Sequence, residues 1–453
     1  MKKLLFAIAI IILLNFSYPS SHASAEEGGN LPFGQTVSNL ITDDDSIDYY
    51  KITLPQAGKL SLEVMSYMKY LNVELYDEDN DTVMSNEYFN DADENNPVPW
   101  KEGEYLEAGT YTVKVSQVFD YTGKYSIKST FKASNNNEIE SNNGTDIAQP
   151  LTLNKTKITG QISWNDSADY YKVNLTKPGY LTVLMSSYMK YLNVDLLDAD
   201  YNQIQAEDYF DSANENTAIP KKLGTYLEKG TYYVKISRDG YNGIYKLQAN
   251  FTATGNNEIE SNNGVDQAQT LKPNIQKITG LISWNDRSDF YKVDVKKSGK
   301  LNVNIASYMH YLDVTIYNKD MESINSEYYF SDATDSTAIT KILSTDVKAG
   351  TYFIEIKEDG YLGKYKLSAS VPQMLPKSPK VYTLKRGAKS ISGVTYKNST
   401  VTVKIGSKKY TGISTSSGKF KIKIPPQKVN AKIYINVKTS AGTSSAKKVV
   451  VKR

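Results

Sequence analysis

Three stretches of this chain spell one segment, an acidic turn running into an aromatic strand: DDDSIDYYKITL (43–54), NDSADYYKVNLT (165–176) and NDRSDFYKVDV (285–295). Each is followed by SYMKYLNV, SYMKYLNV or SYMHYLDV, beginning at Ser66, Ser187 and Ser307. Asp48, Asp169 and Asp289 stand 121 and then 120 residues apart, and the glycines that open each GTY, Gly109, Gly230 and Gly350, keep the same offsets. One folding solution must therefore serve three times. A single active site gains nothing from triplication, whereas linked binding sites turn later binding events into intramolecular ones.

Within a repeat the apolar period is two. In the second copy Tyr171, Val173 and Leu175 alternate with Lys172, Asn174 and Thr176, and Leu181, Val183 and Met185 do so again. Leu192, Val194 and Leu196 follow, then Tyr233–Ile236 and Tyr245–Leu247, with Gly, Asn and Asp between the runs. This pattern predicts short antiparallel strands with one face inward, and several such strands per unit suit a β-sandwich. Helical periodicity is absent except for one short turn expected near Thr145–Ala148. The expected fold class is all-β: three tandem β-sandwiches and a smaller C-terminal all-β domain.

The ends of the chain differ from its middle. Lys2 and Lys3, the apolar run Leu4–Leu14 and Ala23-Ser24-Ala25 read as an export signal over residues 1–25, too short to be read as a span, with a mature start at Glu26. The expected units are repeat 1 (26–133), repeat 2 (134–253), repeat 3 (254–371), a proline-rich linker (372–379) and a basic domain (380–453). From Pro372 onward there are 19 Lys and Arg and no Asp or Glu, while residues 1–371 have a net charge of −16. Segments of opposite sign suggest two surfaces with different partners. Lys404, Lys408, Lys409, Lys419, Lys421 and Lys423 alternate with β-branched or aromatic residues and are the candidate contacts to anionic wall polymers. Nucleic acid ranks lower as the anionic partner, because the domain has few tyrosines and no stacking motif.

Cysteine is absent, which excludes disulfides, thiol catalysis and thiolate metal sites, and fits an exported protein of a Gram-positive bacterium. Beyond the signal the one histidine is His310, in a slot that holds Lys69 and Lys190 in the other copies. Zinc hydrolase and Ser-His-Asp chemistry both need a positioned histidine, so the composition argues against them.

Acids recur at fixed places. The junctions SNNNEIESNNG (134–144) and GNNEIESNNG (255–264) supply Glu138, Glu140 and Asn142, then Glu258, Glu260 and Asn262. About two dozen residues later come Asp166 and Asp169, then Asp286 and Asp289. Carboxylates with amide and backbone carbonyls are the usual oxygen set for calcium. The alternative is a set of solvated turns, since Asn, Asp and Ser favour turns in any case.

The order E-x-E-x-N-N, an Ile-Thr-Gly strand, D-x-x-D-Y-Y, L-x-x-G-T-Y-Y-V and G-x-Y-x-L resembles the bacterial pre-peptidase C-terminal domain, a family that includes the collagen-binding modules of clostridial collagenases. The resemblance covers residues 26–371 and rests on the ordered combination, not on one motif. It implies a jelly-roll-like sandwich, an accessory binding role and calcium held by the linker acids and the D-x-x-D turn. Carried over, the ligands are Glu138, Glu140, Asn142, Asp166 and Asp169 in repeat 2, and Glu258, Glu260, Asn262, Asp286 and Asp289 in repeat 3. Asn143 and Asn263 stand where the family often has aspartate, which leaves one charge fewer for a second ion. Repeat 1 keeps Asp45 and Asp48 but opens with AEEGGNLPFGQ, so its site is expected to be incomplete. The segment after residue 379, with G-x-x-Y, T-V-x-V and then G-x-F-x-x-x-I-P, resembles bacterial Ig-like domains, which implies a C-terminal Ig-like β-sandwich.

The chain has 36 tyrosines against 12 phenylalanines. Tyrosine joins flat contact area to a hydroxyl, and it suits binding faces, although most in a sandwich pack in strands and corners. The chosen candidates are Tyr67, Met68 and Tyr70 with their counterparts Tyr188, Met189, Tyr191, Tyr308, Met309 and Tyr311, on a segment expected to be a loop. The functional expectation is a secreted, non-catalytic, multivalent binding protein of the cell surface or matrix. Its partner would be a collagen-like protein, a polysaccharide or a wall polymer. The alternatives are an accessory or inhibitor chain of a secreted protease and a carboxylate-pair glycosidase.

Overall fold

The central strands of repeat 1 show the expected alternation, for instance Gly58–Ser66, where Leu60, Leu62 and Val64 are buried and their neighbours are not. A computed structural model describes residues 29–155, 157–372 and 375–453. The export signal expected over 1–25 lies outside these residues, as do Gln373 and Met374 of the linker.

Repeat 1 is two sheets face to face. One runs in the order Gly29–Asn30, Ile47–Leu54, Gly109–Gln117, Tyr70–Tyr76, Thr82–Tyr88. The other runs Thr36–Ile41, Gly123–Ala133, Gly58–Ser66, Val98–Leu106. Repeats 2 and 3 reproduce both orders, with Ala168–Leu175 and Ser288–Val295 in the place of Ile47–Leu54. Pairing is antiparallel except for the two-residue edge strand of each five-stranded sheet, which is parallel to its neighbour. Between the sheets lies one apolar core per repeat, in repeat 1 Ile52, Leu62, Val64, Leu71, Val73 and Val113 among others. Each such side chain, fully buried, contributes about 1.5–3 kcal/mol, so the core and not local propensity sets the register.

The described chain falls into two compact units. The first comprises repeat 1 and most of repeat 2; the second joins Pro178–Tyr180 and Thr225–Glu228 to residues 253–453. In the second unit, the basic domain has a sheet of Lys380–Val381, Ser390–Val394 and Lys419–Lys423. Its other sheet is built on Thr400–Ile405 and Lys432–Thr439. Val401, Val403, Phe420, Ile422, Ile433 and Ile435 fill the space between them. The short turn expected near Thr145–Ala148 is a hydrogen-bonded turn closed by Ile147 N on Gly144 O at 3.3 Å; its counterpart in repeat 3 is a 3-10 turn, Val265–Gln267.

Candidate functional site

In repeat 2 the acids converge because sheet pairing brings three separate segments to one edge. Ala168–Leu175 places Asp169 with its side chain inward, and Asp169 is wholly buried. The linker 136–142 runs alongside Ile158–Ile162, held by Asn137 N on Thr159 O at 2.9 Å and Gln161 N on Glu138 Oε1 at 2.8 Å. Carboxylate oxygens of Glu138, Glu140 and Asp169 then lie within 4.8 Å of one another. Repeat 3 gathers Glu258, Glu260 and Asp289 in the same way.

Two tyrosines back the cluster. Tyr245 Oη lies 2.6 Å from Asp169 Oδ2 and 3.0 Å from Glu138 Oε2, and Tyr171 Oη is 2.6 Å from Tyr245 Oη and 3.2 Å from Glu138 Oε2. Two phenol protons face these four contacts, so with both acids ionised two of the contacts have no proton. The arrangement is short of positive charge, which a proton or a cation supplies. Repeat 3 repeats the network through Tyr291 and Tyr365, with Tyr365 Oη 2.6 Å from Asp289 Oδ2.

The fit of a cation is tested by what lacks a partner. Asn142 is fully buried and neither Oδ1 nor Nδ2 is hydrogen-bonded; Asp166 Oδ2 and Asp169 Oδ1 are likewise buried without a donor. Asn262, Asp286 and Asp289 show the same orphaned atoms. A buried polar atom left unmade costs about 1–3 kcal/mol, more when charged. Several oxygens short of donors around three clustered carboxylates form an all-oxygen set that suits a hard divalent cation. Asn143 points its amide at Asp166 instead, Nδ2 to Oδ1 2.7 Å, and Asn263 does the same to Asp286 at 2.8 Å. The amide at each of these positions thus donates a hydrogen bond to an acid of the site.

Burial, and then the neighbouring acids, push these carboxyls upward. Asp166 rises to about 7 and Asp169 to about 10. Burial again leads for Glu138, raised to about 7, for Glu258, raised to about 8, and for Asp286, raised to about 7. A folded value above the unfolded one, about 4, gives stability that is present below about pH 4 and lost as pH rises through the folded values. In chelator, the chain is therefore expected to melt lower at pH 8 than at pH 5.5. Thermal scans across that range test this; a melting point that rises with pH contradicts it.

Repeat 1 has no such cluster among its described residues. Asp48 has both oxygens occupied, Oδ2 by Tyr125 Oη at 2.6 Å and Oδ1 by Asn39 Nδ2 at 2.9 Å. Asn39 pairs with Tyr125 in the sheet, the register position that Gly160 holds opposite Tyr245 and Gly280 opposite Tyr365. Its side chain fills the space that the linker acid enters in the other repeats.

A second recurrent feature is aromatic. Tyr70 packs on Tyr88, Phe119 and Tyr121 with ring centroids 5.1–5.3 Å apart, and Phe119 is 76% exposed. Tyr191 packs on Tyr209 and Tyr241 at 5.4 and 5.7 Å, and Tyr311 on Tyr329 and Tyr361 at the same distances. Lys69 and Lys190 lie over these rings, and His310 packs edge-on in their place. Only the central tyrosine of each group, Tyr70, Tyr191 or Tyr311, is among the contacts expected from the sequence. The recurring EYF, DYF and YYF and the DYTGKY, GYNGIY and GYLGKY loops were the signal for the rest.

The SYMKY segment differs from its expected form. Ser66 ends a strand and its Oγ binds Met68 O at 2.7 Å, turning Met68 into the core at 3% exposure. Met189 and Met309 are buried in the same way, so the methionines belong to the core and not to a binding loop. Tyr188 and Tyr308 turn away from the aromatic groups toward Lys246 and Lys364. Tyr67 occupies the equivalent position, its amide bonded to Lys124 O. The six basic-domain lysines are all exposed but lie on two sheets: Lys404, Lys408 and Lys409 on one, Lys419, Lys421 and Lys423 on the other.

Comparisons with known proteins fall on the same parts. Residues 376–452 match the family model of a bacterial Ig domain. Over 294 residues, 61% of the chain, it is 24% identical to collagenase ColA of Clostridium perfringens (strain 13 / Type A). That stretch is 26% of the collagenase, so the chain spans about a quarter of that relative's length. The pre-peptidase C-terminal domain of a Bacillus anthracis collagenase aligns in full with 25% of the chain at 20% identity and a TM-score of 0.19. A calcium-stabilised, ice-binding adhesin of an Antarctic bacterium covers 94% of the chain and is itself covered to 99%, at 11% identity and a TM-score of 0.19. At such scores the solved structures carry no argument. The repeat pattern, the collagenase similarity and the Ig match identify three modules like the pre-peptidase C-terminal domain and a C-terminal bacterial Ig-like domain. Among the described residues, no helix is long and apolar enough to cross a membrane.

Proposed function

We propose that this is an exported, non-catalytic binding protein. Its three modules would engage an extracellular fibrous protein or polysaccharide through their aromatic groups, with calcium bracing repeats 2 and 3. The observation that carries the reading is the same half-exposed tyrosine group built three times from corresponding residues. Rigid aromatic rings give large contact area at low entropic cost, and linkage multiplies their effect. The acids support a bracing role and not hydrolysis. Asp169 and Asp289 are wholly buried behind tyrosines, whereas paired glycosidase carboxyls flank a substrate in a cleft.

Calcium would be held by Glu138, Glu140, Asn142, Asp166 and Asp169, and by Glu258, Glu260, Asn262, Asp286 and Asp289. It would supply the positive charge those buried oxygens lack. The lysines on both sheets of the basic domain would hold the chain on anionic envelope polymers by long-range attraction.

Co-sedimentation of the chain from Glu26 onward with insoluble collagen, polysaccharides and purified cell wall tests this. Retention on collagen or polysaccharide is expected to fall modestly for Tyr191→Ala alone and about a hundredfold or more for Tyr70→Ala, Tyr191→Ala and Tyr311→Ala together. A triple variant that binds like the wild type, or turnover of any of these polymers, would sink the reading.

A further inference from the structure

The acidic site of repeat 2 is not made by repeat 2 alone. Repeat 1 ends its strand Val98–Leu106 against the turn that leads to Asp166: Trp164 N binds Tyr105 O at 2.9 Å and Gln161 Nε2 binds Leu106 O at 3.0 Å. The next residue is Glu107. Its amide reaches Asn165 Oδ1 at 3.4 Å, and its Oε1 accepts from the same Gln161 Nε2 at 3.2 Å. Gln161 is fully buried, and its backbone amide holds Glu138 Oε1 at 2.8 Å. One residue thus joins an acid of repeat 1 to an acid of the cluster. Glu107 is close enough that its charge raises both Glu140 and Asp166.

A further carboxylate brought beside Glu140 and Asp166 worsens the metal-free state, which makes a purely structural reason for it weak. The sequence adds an independent pattern. The residue is Glu107 in EAGTY, Glu228 in EKGTY and Lys348 in KAGTY. Glutamate occurs in the two repeats that another E-x-E-x-N-N repeat follows, and lysine in the one that the basic domain follows. Within the second compact unit Glu228 meets Asn285 Oδ1 at 3.2 Å through its amide, and its charge raises Asp286.

We propose that Glu107 completes the cation site of repeat 2 from the preceding module, so that binding a divalent cation there also fixes repeat 1 on repeat 2. The proposal rests on the calcium reading of the cluster. In its terms the cation is a clasp between modules: the orphaned Asn142, Asp166 and Asp169 oxygens approach from one module and Glu107 from the other. Two modules held at a fixed angle present their aromatic groups at a fixed spacing, which is what linked sites need to act together.

The test compares Glu107→Gln with the wild type in the full chain from Glu26, by calorimetric calcium titration. The wild type is expected to bind at two sites, and Glu107→Gln to weaken one of them about tenfold or more and spare the other. Because the chain lacks cysteine, Ser85→Cys and Ala206→Cys, matched positions on equivalent strands, accept spin labels without interference. Calcium should narrow the distance distribution between them in the wild type and not in Glu107→Gln, with both alike in chelator. If Glu107→Gln binds both ions and narrows like the wild type, this inference fails and the calcium reading stands. If Glu107→Gln already differs from the wild type in chelator, Glu107 is a packing residue and the inference fails. A wild type that takes up no calcium overturns both.

Discussion

Calcium is expected to raise the unfolding temperature of repeats 2 and 3 and to raise that of repeat 1 much less. The cause is the charge balance of each cluster. In repeats 2 and 3 buried oxygens lack donors and three carboxylates crowd together, so the metal-free fold is strained by its own acids. In repeat 1 Asn39 and Tyr125 already satisfy Asp48. A ligand at a hundred times its dissociation constant adds about 2.7 kcal/mol per site, roughly 10 °C for a unit of this size. Calorimetry of the full chain in calcium and in chelator reads this directly. Asp169→Asn should remove the shift of one transition and Asp289→Asn that of the other. A shift that survives both substitutions, or a wild type with none, ends the assignment.

Much of the fold was legible because it depends on period two and on turn residues, which any one repeat displays and three repeats corroborate. The inward positions Val173, Leu175, Leu181, Val183, Leu192 and Val194 are buried as the alternation requires. What escaped was whatever the chain assembles across distance. Tyr88 and Tyr121 lie far apart in sequence and meet at Tyr70 only through sheet pairing. Glu107 sits in a different module from the site it approaches, so the place before GTY that it shares with Glu228 does not by itself point to that site. The inward turn of Met68 depends on one hydroxyl, Ser66 Oγ, closing on the methionine backbone, and the break in alternation at that point resembled a loop. Only the linker acids and the D-x-x-D turn stood out, being local and repeated.

The glycine opposite the tyrosine, Gly160 in repeat 2, leaves the room that the proposed cation site needs, and the structure contains its own control. A Cβ at Gly160 would collide with Tyr245 Oη and lie 2.5 Å from Glu138 Oε2, and one at Gly280 would collide with Tyr365 Oη and Glu258 Oε2. Real Cβ atoms do not approach so closely, so any side chain there must displace the acid, the tyrosine or both. Repeat 1 shows how a folded module accommodates one: Asn39, in that register, gives its amide to the buried aspartate. Gly160→Asn is therefore expected to leave repeat 2 folded, its new amide satisfying Asp169. Calcium affinity at that site should fall about a hundredfold, at the upper end of what losing the support around metal ligands costs. The repeat 3 site should keep its affinity, and the melting temperature of repeat 2 should become independent of calcium. Gly160→Ala adds the clash without the amide, so it should lose the site and also destabilise the metal-free module by about 1–3 kcal/mol, the usual cost of overpacking. The ordering of the two variants in chelator, asparagine above alanine, separates a satisfied aspartate from mere obstruction. Equal calcium affinity in Gly160→Asn and the wild type would show that the space beside Tyr245 has no part in holding the ion.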